Sequence, residues 1–233
     1  MRAVRRRAAA APVIVFLLLC GPTFAQQTVF NVPSGDVLER GKVYGELDLT
    51  YSPADFSGTF TPRVVVGVGH RVEVGLNANG LAATGLVHFT PTPTAKWKAY
   101  EGGSNGWALL IGDDVFLPAL KRQYRAGNYV YAQFTKTWNT RARATFGAFD
   151  STRGVVASGN RAGGQFAIEQ PIASRVTLAA DWFTGHHAMG YVSPGVIVKL
   201  ARQLTAYVCY QVGNASVKKG NHQLLVEIGW NFN

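Results

Sequence analysis

The chain has 233 residues, with 23 Lys and Arg against 13 Asp and Glu, two cysteines and 47% hydrophobic residues, enough for one domain with a sizeable core. The basic residues are scattered rather than gathered into a Lys/Arg stripe, which argues against nucleic-acid binding. Beyond residue 25 no apolar run approaches the roughly 20 residues of a membrane helix, and no segment keeps a 3.6-residue period over several turns. Helical membrane anchors and helical bundles are therefore excluded from that part of the chain.

Residues 1–25 read as a secretory signal. Arg2, Arg5, Arg6 and Arg7 form a basic start, Val13 to Cys20 an apolar stretch, and Thr23-Phe24-Ala25 a cleavage site with small residues where a signal peptidase reads them. Cleavage is expected after Ala25. Cys20 is preceded by Leu19 rather than a small residue, so lipidation is not expected. Without the signal, 19 basic residues exceed 13 acidic ones by six. Cys209 is then the one cysteine left, which rules out an intramolecular disulfide in that chain, and it reads as a passive strand residue. Residues 26–41, with Pro33-Ser34-Gly35, carry no spanning pattern; they either lie in the periplasm or fold into the interior of whatever residues 42–233 build.

From residue 42 onward the dominant signal is strict alternation over eight to ten residues, which sends one set of side chains to each face of a strand. Twelve such segments lie near 42–51, 59–69, 71–79, 84–98, 106–114, 127–138, 140–150, 163–171, 174–184, 190–200, 202–213 and 222–232. In the last, Leu224, Val226, Ile228, Trp230 and Phe232 oppose Gln223, Leu225, Glu227, Gly229 and Asn231. One face suits lipid and the other water. Tight links such as Gly69-His70-Arg71 alternate with longer ones rich in Gly, Ser and Asn. An even number of strands with short turns at one end and longer loops at the other is the organisation of a transmembrane barrel. The expected fold is all-β, an up-and-down antiparallel transmembrane β-barrel of 12 strands, with short periplasmic turns and longer outer loops. Pro62, Pro91, Pro93 and Pro194 fall inside these segments, and proline removes a ladder donor; if they break strands 84–98 and 190–200 the count becomes ten. The register of 106–114 is open, since Ala108-Leu109-Leu110-Ile111 is apolar on both faces.

A water-soluble β-sandwich is the competing fold. Against it, aromatics gather at strand ends, at Tyr51, Trp97, Trp138, Trp182, Trp230 and Phe232, where an interfacial girdle sits. The last strand, ending Ile228-Gly229-Trp230-Asn231-Phe232, resembles the terminal assembly signal of bacterial outer-membrane β-barrel proteins, differing in that Asn233 follows the aromatic. The Arg-x-Glu and Arg-x-Thr hairpin starts at 71–73 and 175–177 resemble those of small transporter-like barrels. The resemblance implies an outer-membrane location, contact with the lipid bilayer and lipopolysaccharide, delivery to the barrel-assembly machinery through the last strand, a monomer, and no cofactor.

A closed barrel leaves its inward face as the internal working surface. Strand parity assigns to it Arg63, Lys96, Lys98, Arg141, Arg143 and Lys199 together with Glu46, Asp48, Glu73, Glu169, Asp181 and Glu227. In one reading these charges pair across strands and fill a narrow interior, as in the smallest barrels. In another, Arg63, Lys96, Lys98, Arg141 and Arg143 form a basic ladder that favours anionic solutes in a narrow pore. Passive transport of small polar solutes is the leading function, with a closed structural or adhesive barrel as the alternative. For adhesion, the loop 116–126 with Lys121, Arg122 and Arg125 offers charge for phosphates of lipopolysaccharide. An outer-membrane hydrolase ranks below both; it would need His186 or His187, Asp181 and Ser193 to converge. The adjacent histidines lack a third ligand at suitable spacing, so no metal is expected there.

Overall fold

A computed structural model describes residues 27–82, 85–119, 126–156, 159–215 and 221–232. The signal segment 1–25 and the loop residues Lys121, Arg122 and Arg125 lie outside them. Twelve strands follow in order: β1 (Val43–Ser52), β2 (Ser57–Gly69), β3 (Val72–Ala82), β4 (Gly85–Glu101), β5 (Trp107–Phe116), β6 (Gly127–Thr137), β7 (Arg143–Ser151), β8 (Ala162–Ala173), β9 (Val176–Phe183), β10 (Tyr191–Lys199), β11 (Leu204–Gly213) and β12 (His222–Phe232). Each pairs antiparallel with the next, and β1 pairs with β12 from Val43↔Phe232 to Tyr51↔Leu224, closing the barrel. Closure satisfies the backbone groups of both terminal strands, which an apolar medium would otherwise leave without partners.

The alternation that defines the strands also decides what they face. On β1, Leu47, Leu49 and Tyr51 are exposed while Tyr44, Glu46 and Asp48 are buried. The same inversion runs around the wall: Val74, Leu76, Ile111, Phe134, Phe146, Phe166, Ile168, Leu178, Val208 and Leu224 stand on the outside. A soluble sandwich hides its apolar faces, whereas this molecule wears them as a continuous belt and keeps its charges within. That is the arrangement of a transmembrane barrel.

The prolines do not break strands. Pro62 pairs opposite Leu47, Pro91 opposite Ala78, Pro93 opposite Leu76 and Pro194 opposite Ala180, with a register shift around Pro62 between Phe60 and Arg63. In an antiparallel ladder each N–H serves one neighbour only, so a proline costs a single bond and the pairing continues on both sides. Twelve strands result rather than ten. In β5 the ambiguous apolar run resolves with Leu110 buried inside and Ile111 exposed outside. The short turns fall at the end that carries residue 43 and Phe232, the periplasmic end of such a barrel. The tightest, at His70 and Arg71, holds both in the left-handed region (φ 52 and 61°) between the paired residues Gly69 and Val72. This is the two-residue geometry that matches strand twist.

Candidate functional site

Residues 27–38 fold into the lumen, and Glu39 to Gly41 stay exposed at its mouth. Above β1 the chain turns inward past β2, where Gly41 donates to the Gly67 carbonyl (2.8 Å) and Gly67 to that of Lys42 (3.0 Å). A Cβ on Gly67 would lie 2.1 Å from the Glu39 carbonyl oxygen, so only glycine permits this approach. Deeper in, the segment forms a hairpin, with Thr28 bridged to Pro33 and a tight turn closed by Val29 N–H to Val32 C=O (2.8 Å).

The tip of this hairpin rests on one carboxylate. Oδ2 of Asp181, on β9, accepts the backbone N–H groups of Phe30 (3.1 Å), Asn31 (2.5 Å) and Val32 (2.8 Å). A turn whose successive amides converge is a natural anion cradle; here the anion belongs to the wall. The Asn31 side chain donates to Ser193 Oγ (3.0 Å) and accepts from Gln211 Nε2 (2.8 Å). Gln133 Nε2 donates to the Pro33 carbonyl and itself accepts from Gln165 Nε2, each at 2.5 Å, with the Tyr129 hydroxyl donating to Gln165. Around these polar contacts Val29, Phe30 and Val32 pack with Tyr129, Tyr131, Phe149, Phe183, Ile197, Tyr207, Cys209 and Leu225 into one buried apolar cluster. Burying three such side chains contributes about 1.5–3 kcal/mol each. Plug and wall thus share a small hydrophobic core inside a polar lumen.

The hairpin base is held by charge. Glu73 on β3 accepts from Gln27 Nε2 (2.8 Å) and Leu38 N–H (2.8 Å), and pairs with Lys96 of β4 at 2.9 Å. Arg143 on β7 reaches Asp36 of the segment (2.6 Å) and Glu169 of β8 (2.8 Å). Arg63 pairs with Asp48 (2.5 Å) and lies 3.7 Å from Glu46, and Lys98 pairs with Glu101 (3.1 Å). Four members of the expected basic ladder are therefore each matched to an acid. The fifth, Arg141, departs from the parity reading: it is exposed, at φ 66°, in the turn closed by its N–H to the Trp138 carbonyl. The alternation had been extended across a turn, and β7 starts only at Arg143. Lys199 ends β10 at the periplasmic rim, half-buried. Glu46, Asp48, Glu73, Glu169, Asp181 and Glu227 are all buried inside.

The aromatics stand exposed at both rims, Tyr51 and Trp182 towards the outer loops, Trp97, Trp138, Trp230 and Phe232 towards the short turns. The hydrolase constellation does not converge. Asp181 and Ser193 hold the plug, while His187 is buried with Nε2 against the Thr184 carbonyl (2.7 Å) and Nδ1 accepting the Met189 N–H (3.2 Å). His186 is exposed, its N–H donating to Asn160. Charge-based reading missed the neutral lumen residues Asn31, Gln133, Gln165 and Gln211, although the inward parity of the three glutamines was available to it.

Two cavities lie at the sides of the hairpin base. A cavity of about 640 Å³ is lined by residues that include Arg40, Lys42, Arg71, Lys98 and Arg202, and a second of about 380 Å³ by Asp36, Thr135 and Arg143 among others. Beside the plug, between Gln27, Arg63, Asp114 and Tyr131, lies a small void of about 30 Å³.

No protein family matches the chain, and no curated protein does. Among solved structures it is similar to a KdgM porin in complex with disordered oligogalacturonate, with 9% identity and a TM-score of 0.56 over 82% of this chain and 99% of that one. It is also similar to an outer membrane channel from Pseudomonas putida F1, with 13% identity and a TM-score of 0.54 over 86% and 100%. At these identities the likeness is one of fold, that of the bacterial outer-membrane barrel.

Proposed function

We propose that the protein is an outer-membrane channel for small polar solutes, held closed by its own N-terminal segment. The observation that carries this reading is that β1 to β12 close the wall without residues 27–41, whose hairpin packs Val29, Phe30 and Val32 against the inward faces of the wall. Withdrawing the hairpin towards the periplasm leaves the wall's hydrogen-bonded ladder intact. What it exposes is a lumen lined by Asp181, Ser193, Gln211, Gln133 and Gln165, all able to bind water. The 30 Å³ void beside the hairpin has room for about one water, which supports a closed state with the hairpin in place. The periplasmic vestibule carries Arg40, Lys42, Arg71, Lys98 and Arg202 against Asp36, Glu39 and Glu101, which favours anions over cations at that mouth. Cleavage after Ala25 and assembly through β12 belong to the same proposal. They would leave Gln26 next to Gln27, which bonds to Glu73.

The test is conductance of the refolded barrel in planar bilayers, comparing the chain from Gln26 with one lacking residues 26–38. The expected result is a near-silent full chain and steady, mildly anion-selective conductance in the truncated one. A truncated barrel that inserts and stays silent would instead support the structural reading, which the apolar seat of Val29, Phe30 and Val32 favours.

A further inference from the structure

We infer that Glu46, Asp48 and Glu227 hold a divalent cation, of the calcium class, inside the barrel wall. The three residues meet across adjacent strands: Asp48 on β1 is paired with Glu227 on β12, and Glu46 with Gly229. One carboxylate oxygen from each lies within 4.8 Å of the others. Ligands 2.3–2.6 Å from a shared calcium ion can be at most about 5 Å apart, whereas the shorter bonds of magnesium demand a tighter set.

Crowding of acids is not the main argument; what they lack is. Glu227 is 0% exposed and neither of its carboxylate oxygens has a hydrogen-bond partner. Glu46 Oε1 and Asp48 Oδ1 are likewise buried without a hydrogen bond. The other oxygens are used, Glu46 Oε2 accepting from the Tyr44 hydroxyl (2.5 Å) and Asp48 Oδ2 pairing with Arg63. These four oxygens of three carboxylates accept no hydrogen bond among the described residues, and the cation nearest to any of them is Arg63, whose Nη1 lies 3.7 Å from Glu46 Oε1, beyond hydrogen-bonding reach. Arg63 neutralises one of three charges, leaving a deficit of two. A buried carboxylate with no partner is strongly unfavourable, and one divalent cation with oxygen preference meets both the charge and the lone pairs. Asp181 on β9 also repels the charge on Glu227, while Asp114 on β5 acts on Arg63. The vestibule reaches Val43, Asn231 and Phe232 on the same two strands, and Tyr44, next along β1, donates its hydroxyl to Glu46. A Cβ on Gly229 would lie 2.0 Å from the Tyr44 oxygen, so glycine there makes room for the tyrosine that caps the site.

The test uses the full exported chain refolded in detergent free of lipopolysaccharide, with terbium as the calcium probe and Tyr44 as sensitiser. Tyrosine-sensitised terbium emission that calcium displaces, and magnesium displaces poorly, is expected. Glu227→Gln should lower apparent affinity by about 10- to 100-fold, at least the loss typical of disturbing a ligand's support. Glu169→Gln, whose carboxylate serves Arg143 instead, should leave it unchanged. Excess calcium over chelator should raise the melting temperature of the wild type and not that of Glu227→Gln. Wild-type protein without calcium-displaceable emission, or Glu227→Gln with unaltered affinity, overturns the proposal; if that variant does not refold, Asp48→Asn is read in the same way. None of these readouts depends on whether the lumen conducts.

Discussion

Two acidic sites in one lumen are finished in opposite ways. Asp181 is buried, and the plug turn brings three backbone N–H groups to its Oδ2. Glu227 is equally buried, on the same inward face, and its carboxylate accepts no hydrogen bond from the plug among the described residues. The wall supplies acids to both places, and the element that enters the barrel decides which of them is satisfied by protein. A lumen charge is therefore no guide to a permeating ion until its partner is identified. Asp181 serves as a structural anchor, while the Glu46/Asp48/Glu227 cluster has unmet demand.

Six substitutions separate these sites. The largest effect is expected for Phe30→Ala, which removes the aromatic centre of the plug's apolar seat; about 3–5 kcal/mol is the usual cost of such a truncation. It should appear as a lower melting temperature and faster tryptic cleavage after Arg40 or Lys42. Asp181→Ala leaves the buried amides of Phe30 and Val32 and the half-buried one of Asn31 without their acceptor, and each buried one costs about 1–3 kcal/mol. If proteolysis of the segment is no faster in that variant, the carboxylate is not what seats the plug. Gly67→Ala sets a methyl against the Glu39 carbonyl, and overpacking of this kind costs about 1–3 kcal/mol, loosening the hairpin base while the tip stays bound. Glu227→Gln is expected to act in the other direction. With chelator present it should stabilise the barrel by about 1 kcal/mol, because an unpartnered buried charge is removed, and denaturant midpoints measure this directly. Arg141→Ala, in an exposed turn, should change stability and ion selectivity least, within about 0.5 kcal/mol. Arg143→Ala provides the contrast, since it strands both Asp36 and Glu169.

The strands were legible in the residues because period-two alternation records which faces meet apolar and polar surroundings, and every one of the twelve segments is a strand. Proline was the misleading sign: Pro93 and Pro194 argue against a strand when read alone, yet ladder bonds on either side outweigh the one they remove. Arg141 shows the opposite error, parity extended through a turn where alternation has no meaning. The inward position of Glu46, Asp48 and Glu227 followed from parity, but their convergence did not, because β1 and β12 are neighbours only once the barrel closes.

By itself, the order of residues determined an all-β wall of alternating strands, the face most strand side chains take and the apolar belt outside, since these follow from local backbone geometry and the solvent on each side; that the count is twelve rather than ten was decided by the ladder pairing around the prolines. Only the tertiary structure decided where residues 27–41 go. That segment has no periodicity to read, and its seat is assembled from β2, β3, β4, β6, β7, β9, β10 and β11. A binding surface drawn from so many strands exists only after closure, when a turn of three amides can find the single carboxylate of Asp181.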